Sequence, residues 1–189
     1  MSELAAFSAQ LLRRPREVSA IAPSSLHLCR AMAAQIPRSA RRIAEFGPGT
    51  GNVTRAIIDV GIEPEDLSLF EINPAFCQVL RATYPAVAVF NEPAEMLALA
   101  GPAPFDAVVS GLPLLSMSAA TQEAIVSAAF SGLGEDGVYI QFTYGPVSPL
   151  RETIAARLGL GYTRTRRIWR NLPPATVYVY RRARSAASP

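Results

Sequence analysis

Residues 45–51 read Glu-Phe-Gly-Pro-Gly-Thr-Gly, EFGPGTG. An apolar run, Arg42–Phe46, leads into the glycines, and a helical pattern over Gly51–Val60 follows them. Strand, tight glycine turn and helix in that order predict a turn whose backbone lets a ligand approach closely. Such turns commonly cradle phosphates, yet Glu45 stands two residues ahead of Gly47. A carboxylate beside two phosphates is electrostatically unfavourable. The spacing is also GxGxG, whereas dinucleotide sites carry GxGxxG. Glu71 lies twenty residues beyond Gly51 at the end of the next apolar run, a position suited to ribose hydroxyls. The stretch therefore predicts a ligand with a ribose and, near Glu45, a positive group in place of phosphates.

Outward from this turn, short apolar runs alternate with helical stretches. Strands are expected at Arg42–Phe46, Leu67–Glu71, Ala86–Phe90, Phe105–Ser110 and Gly137–Tyr144. Helices are expected at Gly51–Val60, Pro74–Thr83, Ala94–Leu99 and Ala119–Leu133, with an earlier one running from a Ser24 or Ser25 N-cap to about Ile36. The alternation predicts an α/β fold, a parallel sheet covered by helices on both faces. Thr163–Trp169 and Thr176–Arg181 flank Asn171-Leu172-Pro173-Pro174-Ala175 and predict a closing antiparallel hairpin. Residues 1–40 are expected as an N-terminal helical segment serving as membrane contact or lid, 41–183 as the core, and 184–189 as a frayed tail.

At 189 residues, half of them hydrophobic, the chain is long enough to bury a core. Cys29 and Cys77 are the only cysteines and His27 the only histidine, which predicts buried thiols and no metal cluster. Neither a signal peptide nor an apolar run of membrane-spanning length stands out, so a cytoplasmic protein is expected. The net charge is +3, and all 18 basic residues are arginine. They bunch at Arg13, Arg14 and Arg16 and again from Arg164 to Arg184, a distribution suited to phosphate on nucleic acid or lipid.

With the glycine turn, Glu71 and the terminal hairpin in hand, the chain resembles the class I S-adenosylmethionine-dependent methyltransferases, whose donor carries an ammonium and a sulfonium. That resemblance implies a Rossmann-like seven-stranded sheet and S-adenosylmethionine as cofactor, with S-adenosylhomocysteine as product. It assigns the ribose to Glu71 and the methionine part to Gly47, Gly49 and Gly51. Ile72 and the Ala94 amide fall at the adenine. Such enzymes often have Gly-Asp-Ala after the third strand. Here the stretch is Glu92-Pro93-Ala94-Glu95, so Glu92 or Glu95 is the candidate replacement for the missing aspartate.

The acceptor side is read from Val109-Ser110-Gly111-Leu112-Pro113. The adenine-dimethylating ribosomal RNA methyltransferases have Asn-Leu-Pro-Tyr there. Gly111 and Leu114 remove both the amide and the stacking ring, which disfavours adenine. VVSGLPLLSM (108–117), QFTYGPVSP (141–149), RNLPPATVYVYRR (170–182) and SAIAPSS (19–25) together resemble the small bacterial phosphatidylethanolamine N-methyltransferases. That resemblance implies methylation of a phospholipid headgroup amine towards phosphatidylcholine, at the inner face of the cytoplasmic membrane. No nucleic acid or metal partner is expected, and ribosomal RNA adenine N6-methylation is the alternative.

Tyr144 is expected beside Ser110 and Gly111, positioning the amine together with backbone carbonyls. A tyrosine hydroxyl with an ordinary pKa of about 10 is a poor base near neutrality. Leu112, Arg164, Arg166, Trp169 and Arg170 are expected at the lipid, the three arginines sharing strand parity. Leu4, Phe7, Leu11 and Leu12 with Arg13 and Arg14 form an amphipathic helix that either lies on an anionic membrane or packs on the protein.

Overall fold

The computed structural model describes residues 25–183. The first amphipathic segment, Arg13, Arg14, Arg16, most of SAIAPSS and the tail from Arg184 lie outside the described residues.

Seven strands form one sheet: β1 (Ile43–Phe46), β2 (Leu67–Phe70), β3 (Ala88–Phe90), β4 (Phe105–Ser110), β5 (Leu133–Thr143), β6 (Leu160–Arg164) and β7 (Thr176–Arg182). Their order is β3-β2-β1-β4-β5-β7-β6. The first five are parallel, and β7 is antiparallel to both β5 and β6. Order reverses between β1 and β4, the switch point at which open α/β sheets take their ligands.

Helices α1 (Leu26–Ala33), α2 (Asn52–Asp59), α3 (Pro74–Thr83), α4 (Ala119–Gly132) and α5 (Glu152–Arg157) complete the layers. Ser25 caps α1 by accepting from the Leu28 amide at 3.3 Å, as its position predicts. Asn73 caps α3 in the same way, with Pro74 at the first position where a missing N–H costs nothing. Leu28, Cys29 and Met32 of α1 sit fully buried in the same core as Ile43, Ile57 and Val109. Residue 40 therefore marks no break in packing. On the opposite face, Ala44, Phe46, Val108 and Tyr139 pack with Val126 and Phe130 of α4. Both cysteines are buried and outside any disulfide, as expected.

Several elements differ from the sequence reading. Ala94–Ala100 winds as a 3-10 helix, and α5 was not expected at all. The sixth strand runs over Leu160–Arg164 rather than Thr163–Trp169. After Thr165, whose amide still donates to the Val177 carbonyl at 2.9 Å, the chain leaves the ladder and returns through an isolated Ile168–Ala175 bridge. Its apolar residues at 168, 172 and 173 serve a loop, so strand-like composition misplaced the strand.

Candidate donor and acceptor site

The glycine turn is built by close approach of backbones. Gly47, Gly49 and Gly51 have φ of 66°, 53° and 82°, the left-handed region that side chains disfavour. A Cβ on Gly47 would meet Leu112 Cδ2 at 2.7 Å, and one on Gly51 would crowd Leu80 and Tyr84 at 3.1 Å. Around Gly49, by contrast, nothing lies within 4 Å of that position. Two of the glycines thus serve packing, and the middle one faces open space.

Glu71 follows β2 and holds this turn in place. One carboxylate oxygen accepts from the Gly49 amide at 3.1 Å, the other from the Asn73 amide at 2.8 Å. Its carbonyl accepts from Asn91 Nδ2 at 2.9 Å and from the Cys77 thiol at 3.2 Å. The glycine turn, the start of α3 and the end of β3 therefore meet at one residue. Asn91 was not among the expected site residues. A polar residue immediately after an apolar strand was the signal for it. Beside Glu71, Ile72 is 73% exposed, an apolar side chain left uncovered at the crevice. Ala94 is buried at the start of its 3-10 helix, while Glu92 and Glu95 are exposed.

Glu45 corrects the electrostatic reading. Its side chain is 1% exposed and accepts from the Thr54 hydroxyl at 2.7 Å. Burial pushes the carboxyl up to about 8, against the lowering effect of Thr54 and with Glu71 adding to the rise. Near neutrality it is largely protonated, not an uncompensated charge on the pocket wall. The carboxylate at the crevice is Glu71. Burial, with Glu45 as a second cause, also pushes the Cys29 thiol up to about 11.

The loop after β4 is clamped against the glycine turn. The Gly111 amide donates to the Phe46 carbonyl at 2.8 Å, and a Cβ on Gly111 would stand 2.8 Å from the Gly47 carbonyl oxygen. Glycine at 111 is required by this contact, whatever the acceptor is. Ser110 is fully buried; its hydroxyl accepts from the Leu112 amide at 3.4 Å and bonds the Tyr139 hydroxyl. Tyr139 in turn donates to Gln141 Oε1 at 3.1 Å, and Gln141 Nε2 donates to the Leu112 carbonyl at 2.9 Å. Gln122 Nε2 fixes the Leu114 carbonyl at 2.7 Å. Neither glutamine was foreseen, although an amide in the apolar run Val138–Thr143 was a visible sign of a buried network.

Tyr144 and Ser110, expected side by side, lie on opposite faces of the sheet. Ser110 is in register with Gln141, three residues before Tyr144, and points to the Tyr139 face of the sheet. Tyr144 packs on the opposite face, edge-on to Phe142 with ring centroids 5.1 Å apart. Both nevertheless end at the same edge of the sheet. The strand-parity argument for the arginines also fails: Arg164 ends β6, whereas Arg166 and Arg170 lie in the following loop. All three, with Trp169, are exposed.

Among the described residues, no group of acidic, cysteine or histidine side chains is arranged to hold a metal ion, and no helix is long and apolar enough to cross a membrane. No family model matches the chain. A curated relative, the ornithine lipid N-methyltransferase of Singulisphaera acidiphila, is 28% identical over 155 residues, covering 77% of this chain and 80% of that protein. Among solved structures, the TehB-like SAM-dependent methyltransferase of Corynebacterium glutamicum superposes with a TM-score of 0.64 at 18% identity, over 94% of this chain and 99% of that one. The glycopeptide N-methyltransferase MtfA, solved with S-adenosylhomocysteine, gives 0.66 at 12% identity over 85% and 90%. These likenesses and the β3-β2-β1-β4-β5-β7-β6 order give one conclusion: the chain has the class I methyltransferase fold.

Proposed function

We propose that the protein is an S-adenosylmethionine-dependent N-methyltransferase acting on the primary amine of a zwitterionic membrane lipid. The observation that carries the donor is the Gly49–Glu71 pair, an open left-handed glycine whose amide is held by a carboxylate at the switch point. When bound, the donor supplies an electrophilic methyl group on a sulfonium. Gly47, Gly49 and Gly51 would face its methionine part, and Glu71 has lone pairs left for two ribose hydroxyls. Ile72 and Ala94 would cover the adenine, with Glu95 at its rim. Glu45 acts from behind the turn: a nearby ammonium favours its ionised form and so draws its proton away.

On the acceptor side, Ser110, Tyr139 and Gln141 hold the Leu112 peptide rigid, so that the Gly111–Leu112 loop presents a fixed wall. The Tyr144 hydroxyl positions the incoming amine from the end of β5, and its ring face favours the increasingly methylated cation. The amine sheds its proton to solvent. Alignment and exclusion of water are what these residues contribute.

Phosphatidylethanolamine is the acceptor favoured by the β4 and β5 loop sequences; the relative at 28% identity is named for ornithine lipid. Both present a primary amine near an anionic group. The test is incubation with methyl-labelled S-adenosylmethionine and, separately, dispersed phosphatidylethanolamine, ornithine lipid or ribosomal RNA. Label in either lipid is the expected result. Label confined to RNA would overturn the reading.

A further inference from the structure

The loop between β6 and β7 is held from beneath and bare on top. Ile168 packs towards the core and bridges to Ala175, while Asn171 and Pro173 are buried. Asn171 Nδ2 donates to the Pro173 carbonyl at 2.7 Å, and its Oδ1 accepts from the Ser25 amide at 3.1 Å. The residues between these anchors point outward. Trp169 is 75% exposed and Leu172 66% exposed, with Arg166, Arg167 and Arg170 exposed around them. Arg167 lies over the Trp169 ring at 5.3 Å, so the pair is displayed as a unit.

Charge along the C-terminal stretch of the chain has one sign. Glu152 is the last acidic residue of the chain, and eight arginines follow it. Among the described residues none of the loop arginines has a carboxylate within ion-pair distance. Position matters as well. Thr176 of β7 is in register with Thr143 of β5, so the loop emerges at the sheet edge that carries Tyr144, Gly111 and the glycine turn. An exposed indole and leucine ringed by arginines match the interfacial zone of a bilayer, where amphipathic rings settle at headgroup level and guanidinium groups meet lipid phosphates.

We infer that the β6–β7 loop docks this protein on an anionic phospholipid bilayer, with Trp169 and Leu172 entering the interface and the arginines pairing with headgroup phosphates. The inference takes its purpose from the lipid-amine reading, since it sets the mouth of the site against the surface that holds the acceptor. A site facing away from its lipid would gain nothing from such a loop.

Trp169 is the only tryptophan, so emission excited at the red edge of the indole band, where the six tyrosines do not absorb, reports this loop alone. Titration with phosphatidylcholine vesicles containing phosphatidylglycerol should shift its emission to the blue. Lipids brominated high on the acyl chain should quench it, and added salt should reverse the effect. Vesicles of phosphatidylcholine alone should act weakly. Leu172→Asp should weaken partitioning about tenfold, and each arginine-to-glutamine change at 166, 167 or 170 should weaken it about fivefold. Binding of S-adenosylhomocysteine by these variants should remain, showing that they fold.

Unchanged, unquenched Trp169 emission while the protein co-sediments with the vesicles would overturn the inference. So would a response to an RNA oligonucleotide with none to anionic vesicles. These vesicles contain no amine lipid, which separates the two readings. Docking without methylation of any lipid strikes the function alone, whereas methylation of detergent-dispersed lipid without docking strikes the loop alone.

Discussion

At the switch point the loops after β1, β2 and β4 face inward and hold one another: Glu71 takes the Gly49 amide, Gly111 lies on the Gly47 carbonyl, and Gln141 takes the Leu112 carbonyl. Across the sheet, the β6–β7 loop turns Trp169, Leu172 and three arginines outward, keeping Ile168, Asn171, Pro173 and Ala175 inside. One region spends its polar groups on fixing a small crevice, and the other leaves them exposed. The contrast teaches that a crevice for a small molecule needs internal satisfaction, because its geometry must pre-exist the ligand. A docking surface needs the reverse.

The largest expected effect lies in the inward-facing region. Glu71→Ala leaves the Gly49 and Asn73 amides without their acceptor and removes the ribose contact. Affinity for S-adenosylhomocysteine, read by calorimetry, should fall on the order of 100-fold, as loss of charge-assisted hydrogen bonds does. Near-wild-type affinity would show that the crevice does not depend on this pin, and the contrast would dissolve.

Next comes Gly111→Ala. Its new Cβ meets a carbonyl oxygen at 2.8 Å, and backbone yields less easily than a side chain. Stability should drop by about 1–3 kcal/mol, seen in thermal unfolding, with weaker donor binding. Gly49→Ala sharpens the point. It meets no neighbour, so only its positive φ opposes the methyl, at about 1–2 kcal/mol.

Glu45→Gln should act through pH. In the folded protein the carboxyl is raised from 4.5 to about 8, so it holds its proton where the unfolded chain has released it. Its contribution is full below pH 4.5 and is lost progressively as pH rises to about 8. The variant should therefore melt close to wild type near pH 4.5 and higher than wild type at pH 8, by several degrees at about 2–4 °C per kcal/mol. Equal melting temperatures across that range would return Glu45 to the status of a charged wall. The smallest effect belongs to Tyr144→Phe, which keeps the packing on Phe142 and removes one hydroxyl. A kcat loss of about tenfold or less, with unchanged donor affinity, is expected from a single positioning hydrogen bond.

Much of the inward-facing region was legible in the sequence because its signals are local. A glycine turn between strand and helix, Asn73-Pro74 starting a helix, and a carboxylate ending β2 each carry their meaning within a few residues. The protonation of Glu45 was not legible, since it depends on Thr54 and the core closing over it. The packing role of Gly111 was not legible for a similar reason: it depends on the approach of a turn more than sixty residues away. Tyr144 and Ser110 were placed together by strand order, but alternation of side chains across the sheet sends them to opposite faces. For Arg166 and Arg170, strand-like composition concealed a loop whose anchor, Asn171 on Ser25, spans 146 positions.

What the chain alone determined is the order of strands and helices, the ligand-bearing turn and the one-signed C-terminal charge, because periodicity, turn chemistry and composition are properties of neighbours in sequence. Tertiary structure alone decided that the Glu45 carboxyl is buried, which glycine faces open space and which loop residues meet the outside. Those outcomes depend on desolvation and on contact between segments far apart in the chain, and both come into being only when the sheet closes.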